Sequence, residues 1–380
     1  MLVRSGRYAI ITAMKKRVVV GLSGGVDSSV AAALLKAKGY EVVGLTMCFN
    51  LAEAGSKKAG CCSRQGIEDA RRVAHKLGIK HYVLNMQKAL EERVIKNFCR
   101  EYLSGRTPNP CVLCNQYLKF GELLEQVKVL DAQFLATGHY AGIAKTPAGF
   151  LLKKAKDPQK DQSYFLYRLN QSQLKHVLFP LANYTKEEVR KLARKFKLPV
   201  AEKKASQEIC FLPNDDYRSF LRIRAKKEIP AGPIIDTQGK IVGRHKGIAY
   251  YTVGQREGLG VAKGYPVYIT RIDPKANSIY IGSKEEASSS GFLAKDLHFA
   301  IKPPLKKIAL EVKIRYNQKE VKADLFFSGN KPTGHQAVVW PSLAKVIFKK
   351  PQFAVTPGQS AVFYDKSRVL GGAIIDEVIS

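Results

Sequence analysis

Three groups of residues in this 380-residue chain have the types and spacing for chemistry: a Ser-Gly-Gly-Val-Asp-Ser run at 23–28, the pair Cys111 and Cys114, and Cys210 far downstream. The first reads as a pyrophosphate-binding turn. Val18–Val20 are β-branched and suit a strand buried in a parallel sheet. Gly24 and Gly25 lack a Cβ, so the backbone can turn sharply and bring successive N–H groups onto an anion, with the hydroxyls of Ser23 and Ser28 as further donors. The run after Asp27 is strongly helical, with Asp27 or Ser28 as N-cap and Gly39 as its stop, so a helix N-terminus faces the phosphates. No Gly-Lys-Ser/Thr ending follows, and no lysine of the loop waits for a γ-phosphate. Such a site suits attack at the α-phosphate, with pyrophosphate leaving and Asp27 holding a magnesium ion, which implies adenylation of a substrate. A bare Gly-Ser turn is the bland alternative, and it leaves the strand, acid and helix in register unexplained.

The cysteines admit several chemistries. A Cys-x-x-Cys pair serves zinc knuckles, redox couples and cluster ligation alike. A structural zinc site would need a second pair. Adjacent Cys61 and Cys62, with Cys48 nearby, are candidates, but neighbouring side chains diverge, so these three and Cys99 read as small buried apolar residues. Seven cysteines in 380 residues make no disulfide framework. In a reducing compartment their spacing points to metal or sulfur chemistry.

The elements that must position these groups follow from the apolar periodicity. From residue 15 to about 210, short apolar runs (41–47, 81–85, 134–139) alternate with amphipathic helices (67–77, a long one through Arg100, 186–197). This pattern predicts an α/β, doubly wound parallel sheet with ligands beyond the carboxyl ends of its strands, where Met47 and Gly138 fall. After Phe211 the character becomes β: a hairpin at 234–242, a strand and Gly-rich loop at 250–260, a linker at 284–291, and alternating runs at 309–316, 321–327, 337–349 and 360–364 that predict a closed β-barrel. The expected division is an N-terminal extension at 1–13 without assigned function, a nucleotide domain at 14–212, a small mostly β central domain at 213–286 and a C-terminal β-barrel at 287–380.

The chain carries 63 Lys+Arg against 32 Asp+Glu, a net charge of +31 that favours a polyanionic partner, nucleic acid first. Some of this excess lies in ordinary Lys-rich helices. No run is long enough for a membrane span and no secretory leader is visible, so a cytoplasmic location is expected.

Taken together, the 23–28 loop, Gly105-Arg-Thr-Pro-Asn-Pro with its following Cys114-Asn115, Ala136-Thr-Gly-His-Tyr140, Lys160-Asp-Gln-Ser-Tyr-Phe-Leu166, Ser206-Gln with Ile209-Cys-Phe211, Thr252-Val-Gly-Gln-Arg256, Arg315-Tyr316 and 355–364 resemble the bacterial tRNA-specific 2-thiouridylases from Met14 to the C-terminus. The resemblance implies a PP-loop ATPase that adenylates the wobble uridine of Glu, Gln and Lys tRNAs and replaces its oxygen by sulfur. By position it makes Cys114 the nucleophile and Cys210 the persulfide carrier, which would meet and could end as a disulfide. It assigns ATP contacts to Gly21, Leu22, Ser23, Gly24, Gly25, Val26, Asp27, Ser28, Met47 and Gly138. It places Asn109, Pro110 and Cys111 on the target base, and His139, Lys160, Asp161, Gln162, Arg315, Tyr316 and Gln359 on the tRNA. Without it, His139 would read as a structural residue at a strand tip and Arg315 and Tyr316 as strand surface.

The chain departs from the family at Cys111, where many members have an Asp assigned an acid/base role. Two schemes stay open: a persulfide relay, or Cys111, Cys114 and Cys210 as three ligands of a 4Fe-4S cluster whose open iron binds hydrosulfide. The sulfur donor, whether a cysteine desulfurase, a sulfur-relay protein or hydrosulfide, is not specified. Met47-Cys-Phe-Asn and the stretch 51–63 also depart from the family pattern. The rival readings are another adenylating ligase, without a visible glutaminase motif, and a non-catalytic RNA-binding protein.

Overall fold

In a computed structural model, which describes residues 16–49, 64–204, 209–225, 228–303, 307–328 and 343–379, three sheets follow one another along the chain. Residues 1–13, the stretch 51–63 with Cys61 and Cys62, and Ser206-Gln207 lie outside the described residues.

The first sheet has the order β3-β2-β1-β4-β7 and is wholly parallel. Its strands are β1 (Arg17–Gly21), β2 (Glu41–Cys48), β3 (Lys80–Asn85), β4 (Phe134–Ala136) and β7 (Val177–Leu178). Val18, Val19 and Val20 are fully buried, as a central strand covered on both faces requires. Helices α1 (Val26–Ala37) and α2 (Arg64–Leu77) link the first three strands. From Gln87 to Leu103 the chain is helical, as α3 (Gln87–Leu90), a wide-turn π segment (Glu91–Ile95) and α4 (Lys96–Leu103). A second helical rod comprises α5 (Pro110–Leu113), a π segment (Cys114–Glu122) and α6 (Leu123–Val129). Because β1 has β2 on one side and β4 on the other, the winding reverses there and a crevice opens beyond their carboxyl ends.

The expected strand at 134–139 is only Phe134–Ala136, and residues 137–139 form its polar tip. Strands β5 (Gly142–Thr146) and β6 (Gly149–Lys153) form a hairpin that leaves this sheet and joins the last one through Arg368↔Lys153. Short α7 (Gln171–Leu174) precedes β7, and α8 (Lys186–Lys195), closed by a Thr185/Glu188 capping box, packs against α1.

After α9 (Tyr217–Arg224) comes a four-stranded sheet of β8 (Gly232–Ile235), β9 (Ile241–His245), β10 (Tyr268–Asp273) and β11 (Ser278–Gly282), with the expected hairpin between β8 and β9. The strand expected at 250–253 is instead a 3-10 turn (Ile248–Tyr250) running into loop, its apolar residues Tyr251, Val253 and Leu259 buried in the core of this sheet. The final barrel is β12 (Ser288–Phe299), β13 (Lys307–Lys313), β14 (Val321–Ser328), β15 (Leu343–Phe353), β16 (Ser360–Asp365) and β17 (Arg368–Ile379). Pairing of β12 with both β15 and β17 closes these six strands into a ring. Half of the stretch expected as a linker is thus the start of β12. No helix among the described residues is long and apolar enough to cross a membrane.

Candidate active site

The loop after β1 is held open from below. Leu22 donates its N–H to Leu45 O at 2.8 Å, and Thr46 Oγ1 donates to Leu22 O at 2.7 Å. Gly24 has φ +68°, and a Cβ there would stand 2.2 Å from Gly66 O, so the turn presses directly on α2. The N-cap of α1 is Gly25, not Asp27 or Ser28 as its sequence suggested. Ser28 lies in the first turn with its hydroxyl near Ser23 N at 3.2 Å, Ser23 Oγ at 3.1 Å and Gly25 O at 3.2 Å, closing the loop on itself. The first intrahelical bond runs from Ser29 N to Gly25 O, so the N–H groups of Val26, Asp27 and Ser28 precede the ladder and face the crevice end of the helix. Gly138 stands against this turn: a Cβ on it would lie 2.5 Å from Ser28 N. Gly21 packs under Leu123 and Thr137.

Two lysines reach the loop from distant segments, which the sequence reading of the loop did not anticipate. Lys186, at the start of α8, donates to both oxygens of Asp27 at 2.6 and 2.7 Å, and Tyr140 OH donates to Asp27 Oδ1 at 2.9 Å. Burial and the neighbouring Asp27 carboxylate push the Tyr140 hydroxyl far up, so it remains a donor. Lys203 donates to Gly24 O at 3.0 Å and to Asp69 Oδ2 at 2.5 Å; buried Asp69 also pairs with Arg72. Both Asp27 oxygens are thus engaged by an ammonium, and a magnesium ion held there would share the carboxylate with Lys186.

Cys111 and Cys114 lie one turn apart at the start of the rod that begins at Pro110. Asn109 caps it, its Oδ1 accepting from Val112 N at 3.4 Å, and Pro110 occupies the first helical position, where its missing N–H costs nothing. Cys114 is buried in an apolar cluster with Phe98, Leu118 and Phe211, and Cys210 packs against the same cluster from the other side of the sequence. Met47, at the end of β2, packs both on this cluster and on the core under β1, and so connects the thiols to the nucleotide strand. Cys99 belongs to the same cluster, and burial pushes its thiol up, as a structural residue requires. Among the described residues no three Cys, His, Asp or Glu side chains converge to hold a metal ion.

The residues expected on the tRNA divide sharply. His139 is buried between Phe120 and Phe179, hydrogen-bonded through Nδ1 to Thr137 Oγ1 at 2.7 Å and through Nε2 to Lys119 Nζ at 3.4 Å. Burial, then the Lys119 charge, hold its pKa well below the usual histidine range. Asp161 is buried and accepts from Ala155 N at 2.9 Å and Ser163 Oγ at 2.7 Å. Arg315 donates to Val253 O at 2.9 Å, Ala354 O at 3.0 Å and Thr356 Oγ1 at 2.6 Å, bracing the central sheet against the barrel. His139 and Asp161 are thus buried and partnered inside the protein, while half-buried Arg315 spends one guanidinium nitrogen on these bonds. Gln162 Oε1 accepts from Tyr140 N at 3.0 Å, and Gln359 Nε2 donates to Pro108 O at 3.5 Å. Lys160 and Tyr316 are half-buried, Tyr316 against the Phe165 ring at 4.5 Å between centroids.

The segments that carry the resemblance grip one another across the domains. Thr107 N donates to Pro357 O at 2.9 Å, Thr107 Oγ1 to Thr252 Oγ1 at 3.2 Å, and Tyr164 OH to Ser360 O at 2.8 Å. Arg106 reaches Asp376 Oδ1 at 3.1 Å and Ile375 O at 3.0 Å. The turn before Cys111 is therefore set by both downstream domains.

Comparison with known proteins agrees with this architecture. Family models described as the HUP domain and the PRC-barrel domain of tRNA methyl transferase match residues 16–214 and 218–283, and one described as an aminomethyltransferase beta-barrel domain matches 289–375. A tRNA-specific 2-thiouridylase MnmA of Halothermothrix orenii is 48% identical over 365 residues, covering 95% of this chain and 99% of that one. The chain belongs to the tRNA-specific 2-thiouridylase family. MnmA of Clostridium acetobutylicum is 44% identical over 368 residues, covering 95% of this chain and all of that one, and MnmA 1 of Syntrophus aciditrophicus is 45% identical over 368 residues, covering 97% and 95%. In this 2-thiouridylase fold the nucleotide loop, the paired thiols and both downstream domains form one connected unit.

Proposed function

We propose that the protein is an ATP-dependent tRNA-uridine 2-sulfurtransferase acting at the wobble position of Glu, Gln and Lys tRNAs. The observation that carries this reading is the placement of Cys114 and Cys210 in one cluster, joined through Met47 to the strand that delivers the phosphate loop.

The chemistry follows from the groups present. A uracil carbonyl oxygen is a poor leaving group, and transfer of AMP to it creates a good one. Phosphates seat at the N–H groups of Gly25–Ser28, where the helix start favours negative charge. A persulfide on Cys210, supplied by a sulfur donor, attacks C2 with its outer sulfur, and AMP departs with the original oxygen. The Cys114 thiolate then attacks the inner sulfur, breaking the S–S bond, leaving the thiocarbonyl on the base and a Cys114–Cys210 disulfide to be reduced. Asn109, Pro110 and Cys111, on the turn held by all three domains, meet the base, which leaves an anticodon loop at small cost.

The test is nucleoside mass spectrometry on unmodified tRNA incubated with ATP and a persulfide donor. Wild type forms 2-thiouridine. Cys114→Ser transfers AMP to the tRNA yet releases no thiolated base, and failure of wild type to label tRNA from α-phosphate-labelled ATP overturns the proposal. Iron and acid-labile sulfide in anaerobically purified protein, lost in Cys111→Ala together with thiolation, would replace the relay by cluster-held sulfur.

A further inference from the structure

We propose that Lys186 is the cationic ligand of the departing pyrophosphate, and that Asp27 aims Lys186 at it. The inference rests on the nucleotide reading above and deepens it.

A loop without its own lysine acquires one through the fold. Lys186 is 159 positions from Asp27 in sequence, yet its ammonium spans both carboxylate oxygens at 2.6 and 2.7 Å. The lysine is built in from several sides. Its own N–H donates to Asp157 Oδ2 at 2.9 Å, the Thr185/Glu188 capping box fixes the helix start, and its side chain is only 17% exposed, passing beside the Tyr140 ring. Asp27 is correspondingly fixed by Tyr140 OH and by its place in the first turn of α1.

An ammonium carries three N–H donors, and two of them serve Asp27 in these bonds. The third is the natural donor to an oxygen of a phosphate seated on the neighbouring N–H groups of the same turn. Lys203 lies on the opposite side of the loop, but its partner Asp69 is deeply buried and shared with Arg72, which marks it as part of the loop's support.

During adenylation the uracil O2 bonds to the α-phosphorus. The bond from that phosphorus to the α,β-bridging oxygen breaks with its electron pair onto pyrophosphate, and the uracil N3 proton passes to water. Negative charge grows on the β-phosphate side, where a fixed ammonium stabilises it more in the transition state than in bound ATP.

The test compares binding of pyrophosphate, ATP and AMP to the full-length protein, its Lys186→Met and Lys186→Arg variants and Asp27→Asn, with EDTA present. Lys186→Met loses pyrophosphate affinity by about tenfold or more, the scale of one charge-assisted hydrogen bond, while AMP affinity holds. Lys186→Arg restores part of it, and Asp27→Asn weakens pyrophosphate even without metal. Equal pyrophosphate affinity in wild type and Lys186→Met overturns the inference while leaving the nucleotide reading intact. Joint loss of AMP and pyrophosphate binding makes Lys186 merely structural and overturns it too. If wild type binds none of the three ligands, the nucleotide reading itself fails.

Discussion

A methyl group at Gly138 would stand 2.5 Å from Ser28 N and 2.7 Å from Asp27 C, so Gly138→Ala must push the first turn of α1 away from the strand tip. Overpacking of this kind costs about 1–3 kcal/mol. Because the displaced atoms are those that face the phosphates, ATP affinity falls by more than the loss in thermal stability alone explains, as titration calorimetry beside melting curves will show. His139 makes a different prediction. Its folded-state pKa lies well below 6.5, so above that pH the imidazole is neutral in both states, and below it only the unfolded chain takes the proton. Stability is therefore lost as pH falls from about 6.5, at up to roughly 1.4 kcal/mol per pH unit for one such group. His139→Gln flattens the acid side of a plot of Tm against pH. The turn chemistry at Gly24 and Gly25 was legible in the sequence because it depends on consecutive residues. Lys186 was not: nothing near Asp27 in sequence shows which of 63 basic residues the fold will return to it.

At the scale of elements, Arg315 distinguishes a brace from a tRNA contact. One guanidinium nitrogen serves Val253 O, Ala354 O and Thr356 Oγ1, and burial lowers the pKa of the group. Arg315→Ala removes the donor to Val253 O, while Thr356 Oγ1 still donates to Ala354 O, and a buried acceptor left unpaired costs about 1–3 kcal/mol. Hydrogen exchange at 252–256 and 354–357 should accelerate in the variant without any tRNA present. A variant with normal Tm and exchange but weaker tRNA binding would return Arg315 to the RNA surface. The parallel sheet was readable because its buried strands are continuous apolar runs, each followed by a helix of opposite periodicity. The β5–β6 hairpin was not, since its partner β17 is about 200 residues away and no local pattern encodes that pairing. The residues 250–253 are aromatic and β-branched and so mimic a strand, but tertiary packing uses them as core filling for a loop.

For the whole molecule, the net charge of +31 is the feature most directly tied to a polyanion. If tRNA binding neutralises about six or more phosphates, affinity falls by on the order of 10³ between 50 and 200 mM salt. Binding of AMP, which carries a single phosphate, changes far less over the same range, and filter binding across a salt series measures both. The contacts of Thr107 with Pro357 and Thr252, and of Arg106 with Asp376, further imply that the thiol-bearing turn is shaped by the assembled chain. The sequence motifs were informative together because several of them are each other's partners. The most direct measurement of the central claim is pyrophosphate release from ATP with and without unmodified tRNA, in the absence of any sulfur donor. The account predicts that tRNA strongly stimulates release and that Cys114→Ser and Cys210→Ser retain this stimulation, because AMP transfer precedes sulfur. Release that is indifferent to tRNA, or absent altogether, would contradict it.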